Sequence, residues 1–347
     1  MATESIAAPR LSQACQRLLE CEGVPPADAA FVAGTLVDAD LKGIHSHGVL
    51  RLPRYLRELA QGITNPRPKI ATLGEGPAFA RVDGDGALGP LVARYAMGVC
   101  MAKAQTAGSA TVTACRSRHF GAAGTYASMA LDADLIGIAM TVASPRLAPT
   151  GGSKPLYGNN PVSMAIPGSP DFPLLIDTAM GSTAAGRLEL AAANGETIPA
   201  GLARSLDGTP TTDPNAALKG TIVPIGEHKG YGLALLIEVL AGLLGGAPYF
   251  GVERDEVSNH MRDKGIGHFF MVVDPARFMP IEAFKAATAD MVRRTKESPR
   301  LAGVDEILLP GELEERRRRD RLVHGIPLAA STVEKLAGLA RRRGFAL

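Results

Sequence analysis

Residues 84–89, GDGALG, spell G-x-G-x-x-G between an expected strand at 78–82 and a helix whose Leu91, Val92, Tyr95, Ala96 and Val99 recur at helical spacing. Few features constrain a fold so sharply. If these glycines cradle a pyrophosphate, a parallel dinucleotide-binding sheet must start here. Two facts weigh against that reading. Pro90 follows the last glycine, and no acidic residue lies between Asp85 and Asp132 to hold a ribose about 20 residues on. Arg116 or Arg118 could replace that acid toward a 2′-phosphate. A tight glycine-rich turn that opens a helix is the plainer reading.

With 347 residues, two domains are expected. Lys plus Arg (37) nearly balance Asp plus Glu (35), aromatics make up 5% and Trp is absent, so nucleic acid is not an expected partner. The basic block 316–319 is flanked by acids and reads as a solvated helix face. Cys15, Cys21, Cys100 and Cys115 have no C-x2-C spacing, and only His45 and His47 approach ligand spacing, so no metal is expected. The start of the chain lacks a secretory pattern, and 231–247, the most apolar segment, carries Glu238 and several glycines. The expectation is a cytoplasmic, globular protein without a membrane span.

Residues 43–56, GIHSHGVLRLPRYL, carry two histidines, two arginines, a serine and a tyrosine. His47 and Arg51, four apart, would share one face of a helical turn. Pro53 suits the start of a helix with Leu52, Tyr55, Leu56 and Leu59 on its apolar stripe. Either Ser46 caps this helix among solvated bases, or a proton donor stands one turn from a fixed positive charge.

Helices are expected at 10–22, 26–42, 121–133, 182–194 and 280–297, and strands at 110–114, 135–142, 172–179 and 266–274. His119 falls at a strand end beside Gly121, where it could serve catalysis, a cap or the core. The turn-rich run 144–167 suits a ligand loop. Strand 172–179 ends in small residues before a helix, a place for an anion, and Asp207-Gly208 suits a hairpin. Residues 226–232 open a helix that is apolar all round to Leu244 and so expected to be buried, with His228 and Lys229 at its mouth. Ser331 and Glu334 form the pattern of a capping box.

Seven ordered segments carry a resemblance: 43–53 (GIHSHGVLRLP), 117–126 (SRHFGAAGTY), 149–161 (PTGGSKPLYGNNP), 177–187 (DTAMGSTAAGR), 207–214 (DGTPTTDP), 224–235 (PIGEHKGYGLAL) and 309–312 (LPGE). Over nearly its whole length the chain resembles the malate/L-lactate dehydrogenase type 2 family. Ureidoglycolate dehydrogenases, diketogulonate reductases, sulfolactate dehydrogenases and Δ1-piperideine-2-carboxylate reductases belong to that family too.

The resemblance implies a mixed α/β (α+β) fold with a non-Rossmann NAD(P)-binding domain on a mixed sheet. It also implies a helical domain made from both termini (1–76 with 292–347), an α/β domain at 77–291, and a cofactor subdomain at about 122–225. It implies NADH or NADPH as cofactor, a small carboxylate substrate and a homodimer. His47 matches the family's proton donor and His119 a second acid/base histidine. Ser46, Arg51, Thr150 and Gly151 match substrate positions. Ala143, Asn160, Asp177, Thr178, Ala179, Met180, Gly181, Ser182, His228, Lys229, Gly311 and Glu312 match cofactor positions. Three departures bear on the NAD/NADP preference: the usual GTNP is GNNP at 158–161, the usual DMATS is DTAMG at 177–181 with Ser182 following, and Glu227 interrupts a glycine pair.

Reduction of a 2-oxo acid leaves an alkoxide that needs a proton, suited to histidine, and a carboxylate that suits a bidentate arginine. The expected reaction is hydride transfer at C2 of a malate- or lactate-like acid, with His47 as acid/base, His119 assisting or sharing, and Arg51 on the carboxylate. The alternatives are a ketimine reductase for Δ1-piperideine-2-carboxylate or Δ1-pyrroline-2-carboxylate, and a non-catalytic NAD(P)-binding protein.

Overall fold

The structure, a computed structural model, describes residues 3–250 and 265–347. The chain opens with strand β1 (Thr3–Ile6) and helices α1 (Ala8–Glu20) and α2 (Pro26–Leu41). Single 3-10 turns at His45–His47 and Val49–Arg51 lead into α3 (Leu52–Ala60), which has a proline in its first turn where a missing N–H breaks no bond. Strands β2 (Ala71–Gly76) and β3 (Phe79–Asp83) precede α4 (Gly89–Ala107) and β4 (Ser109–Ser117). Next come α5 (Ala123–Ala127), with a 3-10 continuation, and strands β5 (Ile136–Thr141), β6 (Pro145–Leu147), β7 (Tyr157–Gly158), β8 (Val162–Ile166) and β9 (Leu174–Thr178). They are followed by α6 (Ala185–Asn194), β10 (Ala203–Arg204), β11 (Pro210–Thr211), α7 (Pro214–Lys219), β12 (Thr221–Ile222) and α8 (His228–Ile237). The last elements are β13 (Ile266–Val273), α9 (Ile281–Glu297), α10 (Glu312–His324), β14 (Ile326–Ala329) and α11 (Ala330–Arg341).

The fold is mixed α/β with mixed sheets. The main sheet runs β2-β3-β4-β13-β5-β8-β9, and β3–β4 is its single parallel pair. A smaller sheet, β11-β10-β12-β6-β7, lies in the middle of the sequence, and β1 pairs with β14 to join the two ends of the chain. One apolar core unites α1, α2, α3, β14 and α11 with Leu88, just before α4, and Leu91 in its first turn. A second fills the space between α4, α5 and the main sheet, and a third lies between the small sheet, α6 and α8. The boundary expected at 292 falls inside α9, where Val292 packs with Phe172, Leu174 and Leu309. No described helix is long and apolar enough to cross a membrane.

The strand–glycine–helix segment forms a parallel β3-α4-β4 unit, yet its backbone donors are already engaged. Gly84 N–H donates to Cys115 O (2.9 Å), Gly86 N–H to Arg116 O (2.8 Å) and Asp85 N–H to the Asp83 carboxylate (2.9 Å). A side chain at Gly89 would stand 2.3 Å from Arg118 O. These glycines hold the turn against β4 and the chain that follows it.

Several expectations change. The run 144–167 contains β6, β7 and β8, because its Pro145–Leu147 and Tyr157–Gly158 segments find partners in the small sheet. The helix expected at 121–133 relaxes into 3-10 turns after Ala127. Ser331 caps nothing, since β14 runs directly into α11 with Ala329 at the cap position. The helix after Gly226 is not wholly buried. It passes into a π-helical turn at Glu238–Leu243, and Leu233, Leu236, Leu243 and Leu244 are about half exposed. Among the described residues, those faces of the helix have no covering element.

Candidate active site

Residues 43–51 do not form one helix. Gly48 separates the two 3-10 turns, and the Arg51 Nε–H reaches back to Ser46 O at 2.6 Å. The anchor is Asp40, at 1% exposure near the end of α2. Its carboxylate accepts Val49 N–H (2.7 Å) and pairs with His45 Nδ1 (2.7 Å), while the Arg321 guanidinium of α10 bonds its carbonyl at 2.5 Å. A Cβ at Gly48 would stand 2.2 Å from that carboxylate, so only glycine admits the contact. With this loop fixed, Ser46 Oγ lies 2.9 Å from His47 Nδ1. Ser46 is thus a partner of the histidine and caps no helix.

His119 sits in the segment between β4 and α5 and stacks on His47, with ring centroids 5.6 Å apart and planes 18° from parallel. The buried Tyr55 hydroxyl of α3 lies 2.7 Å from His119 Nδ1 and 3.2 Å from its carbonyl oxygen, and Gly121 N–H approaches the same Nδ1 at 3.4 Å. The hydroxyl can donate to Nδ1, or accept from Nδ1–H while donating to the carbonyl. Either neutral tautomer and the imidazolium therefore find a partner there.

Burial, reinforced by the Arg51 charge, lowers His47 to about 4. Burial, then His47 and Arg51, holds His119 well below the ordinary histidine range. Both rings are thus neutral near pH 7. Burial also lowers Arg51, which keeps its charge at neutral pH because an arginine begins so high. The first turn of α6 covers this corner: a Cβ at Gly186 would lie 3.4 Å from Ser46 Cβ and 3.9 Å from an Arg51 terminal nitrogen. His47, His119, Ser46 and Arg51 are therefore brought together.

Of the other matched residues, those at 177–182 and 228–229 form a band of their own. Thr150 and Gly151 are exposed in a turn closed by Gly152 N–H to Pro149 O (2.8 Å). Thr178 ends β9 and Ala179 follows it, beside Asp177, which accepts Gly124 N–H at 3.0 Å. Met180 is buried and accepts Ile225 N–H at 2.9 Å, and Gly181 bridges to Pro224. These contacts place the strand end beside the mouth of α8. There Gly226 (φ 55°) and Glu227 (φ 53°) both adopt the left-handed region, an uncommon state for a glutamate. His228 and Lys229 are exposed, and among the described residues their side chains form no hydrogen bond or ion pair. An imidazole and an ammonium exposed beside a strand end of small residues suit the phosphates of a dinucleotide.

Other matched side chains are already engaged. Asn160 accepts Ala143 N–H (2.9 Å) and donates to Ala234 O (3.0 Å) and Glu238 (2.7 Å). The Ser182 hydroxyl donates to Leu202 O at 3.1 Å. Glu312 is buried between Lys296 and Arg316, each at 2.5 Å, and follows Gly311 (φ 90°) at the start of α10. These residues shape the band through the fold.

Sequence reasoning missed Asp40 and assigned Tyr55 only to an apolar stripe. An acid amid the buried face of α2 was the available signal for Asp40. Tyr55 had none, because its partner lies 64 positions away.

A family model described as malate/L-lactate dehydrogenase matches residues 6–337. An L-sulfolactate dehydrogenase of Methanocaldococcus jannaschii is 41% identical, over 86% of this chain and 86% of its own. A malate dehydrogenase of Pyrococcus horikoshii is 38% identical, over 96% of this chain and 94% of its own. The solved structure of the malate dehydrogenase from that organism superposes with a TM-score of 0.90, covering 99% of this chain and 97% of that one at 35% identity.

Proposed function

Because the chain belongs to the malate/L-lactate dehydrogenase family, we propose that it moves a hydride between NAD(P) and C2 of a small, malate- or lactate-like 2-hydroxy/2-oxo acid. It is an NAD(P)-dependent oxidoreductase acting on a CH–OH group. The observation that carries the site assignment is the His47–His119 stack at 5.6 Å beside the half-buried Arg51.

When bound, the nicotinamide accepts or supplies the hydride. Arg51 takes the substrate carboxylate in a bidentate pair, helped by the Ser46 turn that positions its guanidinium. In oxidation the hydroxyl proton passes to Nε2 of a neutral histidine, and in reduction it returns to the alkoxide oxygen. The stacked pair takes up one extra proton at a time, since a charge on one ring disfavours a charge on the other. His119 is the better carrier, because Tyr55 can satisfy Nδ1–H in the imidazolium, and His47 shares the role through Ser46. Lys229 and His228 would hold the cofactor phosphates, beside the 177–182 strand end. That band is not a Rossmann loop, in keeping with the engaged donors at 84–86.

The exposed Leu233, Leu236, Leu243 and Leu244 are the surface on which a second copy packs to make a homodimer. Absorbance at 340 nm tests the activity: NADH and NADPH are each offered with oxaloacetate, pyruvate, phenylpyruvate and Δ1-piperideine-2-carboxylate. Turnover with a 2-oxo acid is expected. Turnover with the cyclic imine alone would make the protein a ketimine reductase, and none with any would leave a binding protein.

A further inference from the structure

His268 lies near the start of β13, fully buried, and takes no part in the chemistry above. Its ring nitrogens are both engaged. Nδ1 lies 2.7 Å from Thr141 Oγ1 at the end of β5, and Nε2 lies 2.7 Å from Ser117 Oγ at the end of β4. The Thr141 hydroxyl also lies 3.1 Å from the carbonyl oxygens of Val142 and Gly267, which ties the ring to its own strand. Phe120 lies flat on the same imidazole, at 4.5 Å and 7°, and packs at a 33° tilt on Tyr126, whose hydroxyl donates to Phe120 O.

These contacts bracket His119. Ser117, two residues before it, bonds the imidazole, and Phe120, one residue after it, stacks on the same ring. On the opposite side the first turn of α4 presses on the peptide, where a side chain at Gly89 would meet His119 backbone atoms at 2.5 Å. A phenylalanine or leucine at 268 could fill the core equally well but could not grip Ser117. A buried imidazole is tolerated only with its nitrogens bonded, and here both bonds run to the strand ends that carry the site.

We infer that His268 is a positioning residue which acts through His119, holding its backbone so that the ring meets both Tyr55 and His47. This rests on the proposed proton-carrying role of His119. Misplacing a reacting group by about 1 Å can cost as much as 10²-fold in rate, so loosening one of two grips is expected to cost on the order of tenfold.

The test is a double-mutant cycle on the full-length enzyme, read as kcat and KM for the best 2-oxo acid. Ser117→Ala removes one hydrogen bond with little change of volume, and His268→Phe removes both while keeping the stack. Each is made in the wild-type background and in His119→Asn. Both are expected to lower kcat about tenfold, leave KM within about twofold, and have no further effect on kcat once His119 is gone. Loss of the same factor in the His119→Asn background would show that His268 serves the core alone, and so would unchanged kcat in Ser117→Ala and His268→Phe. Near-wild-type kcat for His119→Asn itself would instead remove the role of His119, and this inference with it.

Discussion

The Tyr55 hydroxyl stands 2.7 Å from Nδ1 of His119 and 3.2 Å from that residue's own carbonyl oxygen. One rotatable O–H can thus answer whichever proton the imidazole carries. Tyr55→Phe removes that partner and leaves only the Gly121 N–H, which opposes a proton on Nδ1. It should lower kcat about tenfold, the equivalent of about 1.4 kcal/mol of lost charge-assisted hydrogen bonding, with KM little changed. An unchanged kcat would show that His119 works without Tyr55.

Asp40 fixes the loop that presents Ser46, His47 and Arg51. Asp40→Ala leaves a buried Val49 N–H without its acceptor and should destabilise the protein by about 2–4 kcal/mol. Gly48→Ala should do comparable damage, since the added methyl would overlap the Asp40 carboxylate. Thermal unfolding monitored by circular dichroism checks both. A midpoint within a degree of wild type for either would contradict this anchoring role.

Lowered histidine values set the pH behaviour. His47 is lowered to about 4 and His268 to about 3, in each case first by burial, and His119 lies well below its ordinary range. An unfolded chain, with histidines near 6.5, binds more protons than the native one below that pH. Stability should therefore be full above about 6.5 and fall as pH drops toward 4, with a slope of up to about 1.4 kcal/mol per pH unit per histidine. The same shifts keep a neutral base available, so kcat/KM for hydroxy-acid oxidation should show no inflection near 6.5. A midpoint at 6.5 or above in that profile would contradict the burial of the pair.

Leu236→Glu together with Leu243→Glu places charges on the exposed face of α8 and the π-helical turn after it. Sedimentation velocity should then give the monomer mass, against twice that mass for the wild type. A wild-type monomer would show that this face has another use.

The sequence made the site's constituents legible where they are local. Residues 43–53 and 117–126 supplied both histidines and Arg51, and Pro53 and Gly121 marked the backbone breaks around them. The long-range partners stayed hidden. Tyr55 looked like one more apolar-stripe residue, and His268 sits in a strand whose alternation says nothing of Ser117 or Thr141, 151 and 127 positions away. In the fold, regular periodicity located α2 and α9 to within about two residues, a usual boundary error, and showed α4 through its apolar stripe without fixing its ends. Two-residue strands such as β7 and β10 exist only through their partners and leave no periodic trace. The exposed leucines of α8 were misplaced for a related reason: an apolar run tells that a face wants cover and not whether the fold supplies it.

In the proposed mechanism the stacked histidines carry the proton beside Arg51, with His119 foremost. It is tested most directly by kcat for 2-oxo acid reduction in His119→Asn and His47→Asn, measured at saturating cofactor. A fall of about 10²-fold or more is expected for His119→Asn with KM for the acid little changed, and a smaller fall for His47→Asn. Two variants that each retain kcat within a few-fold of wild type would contradict it.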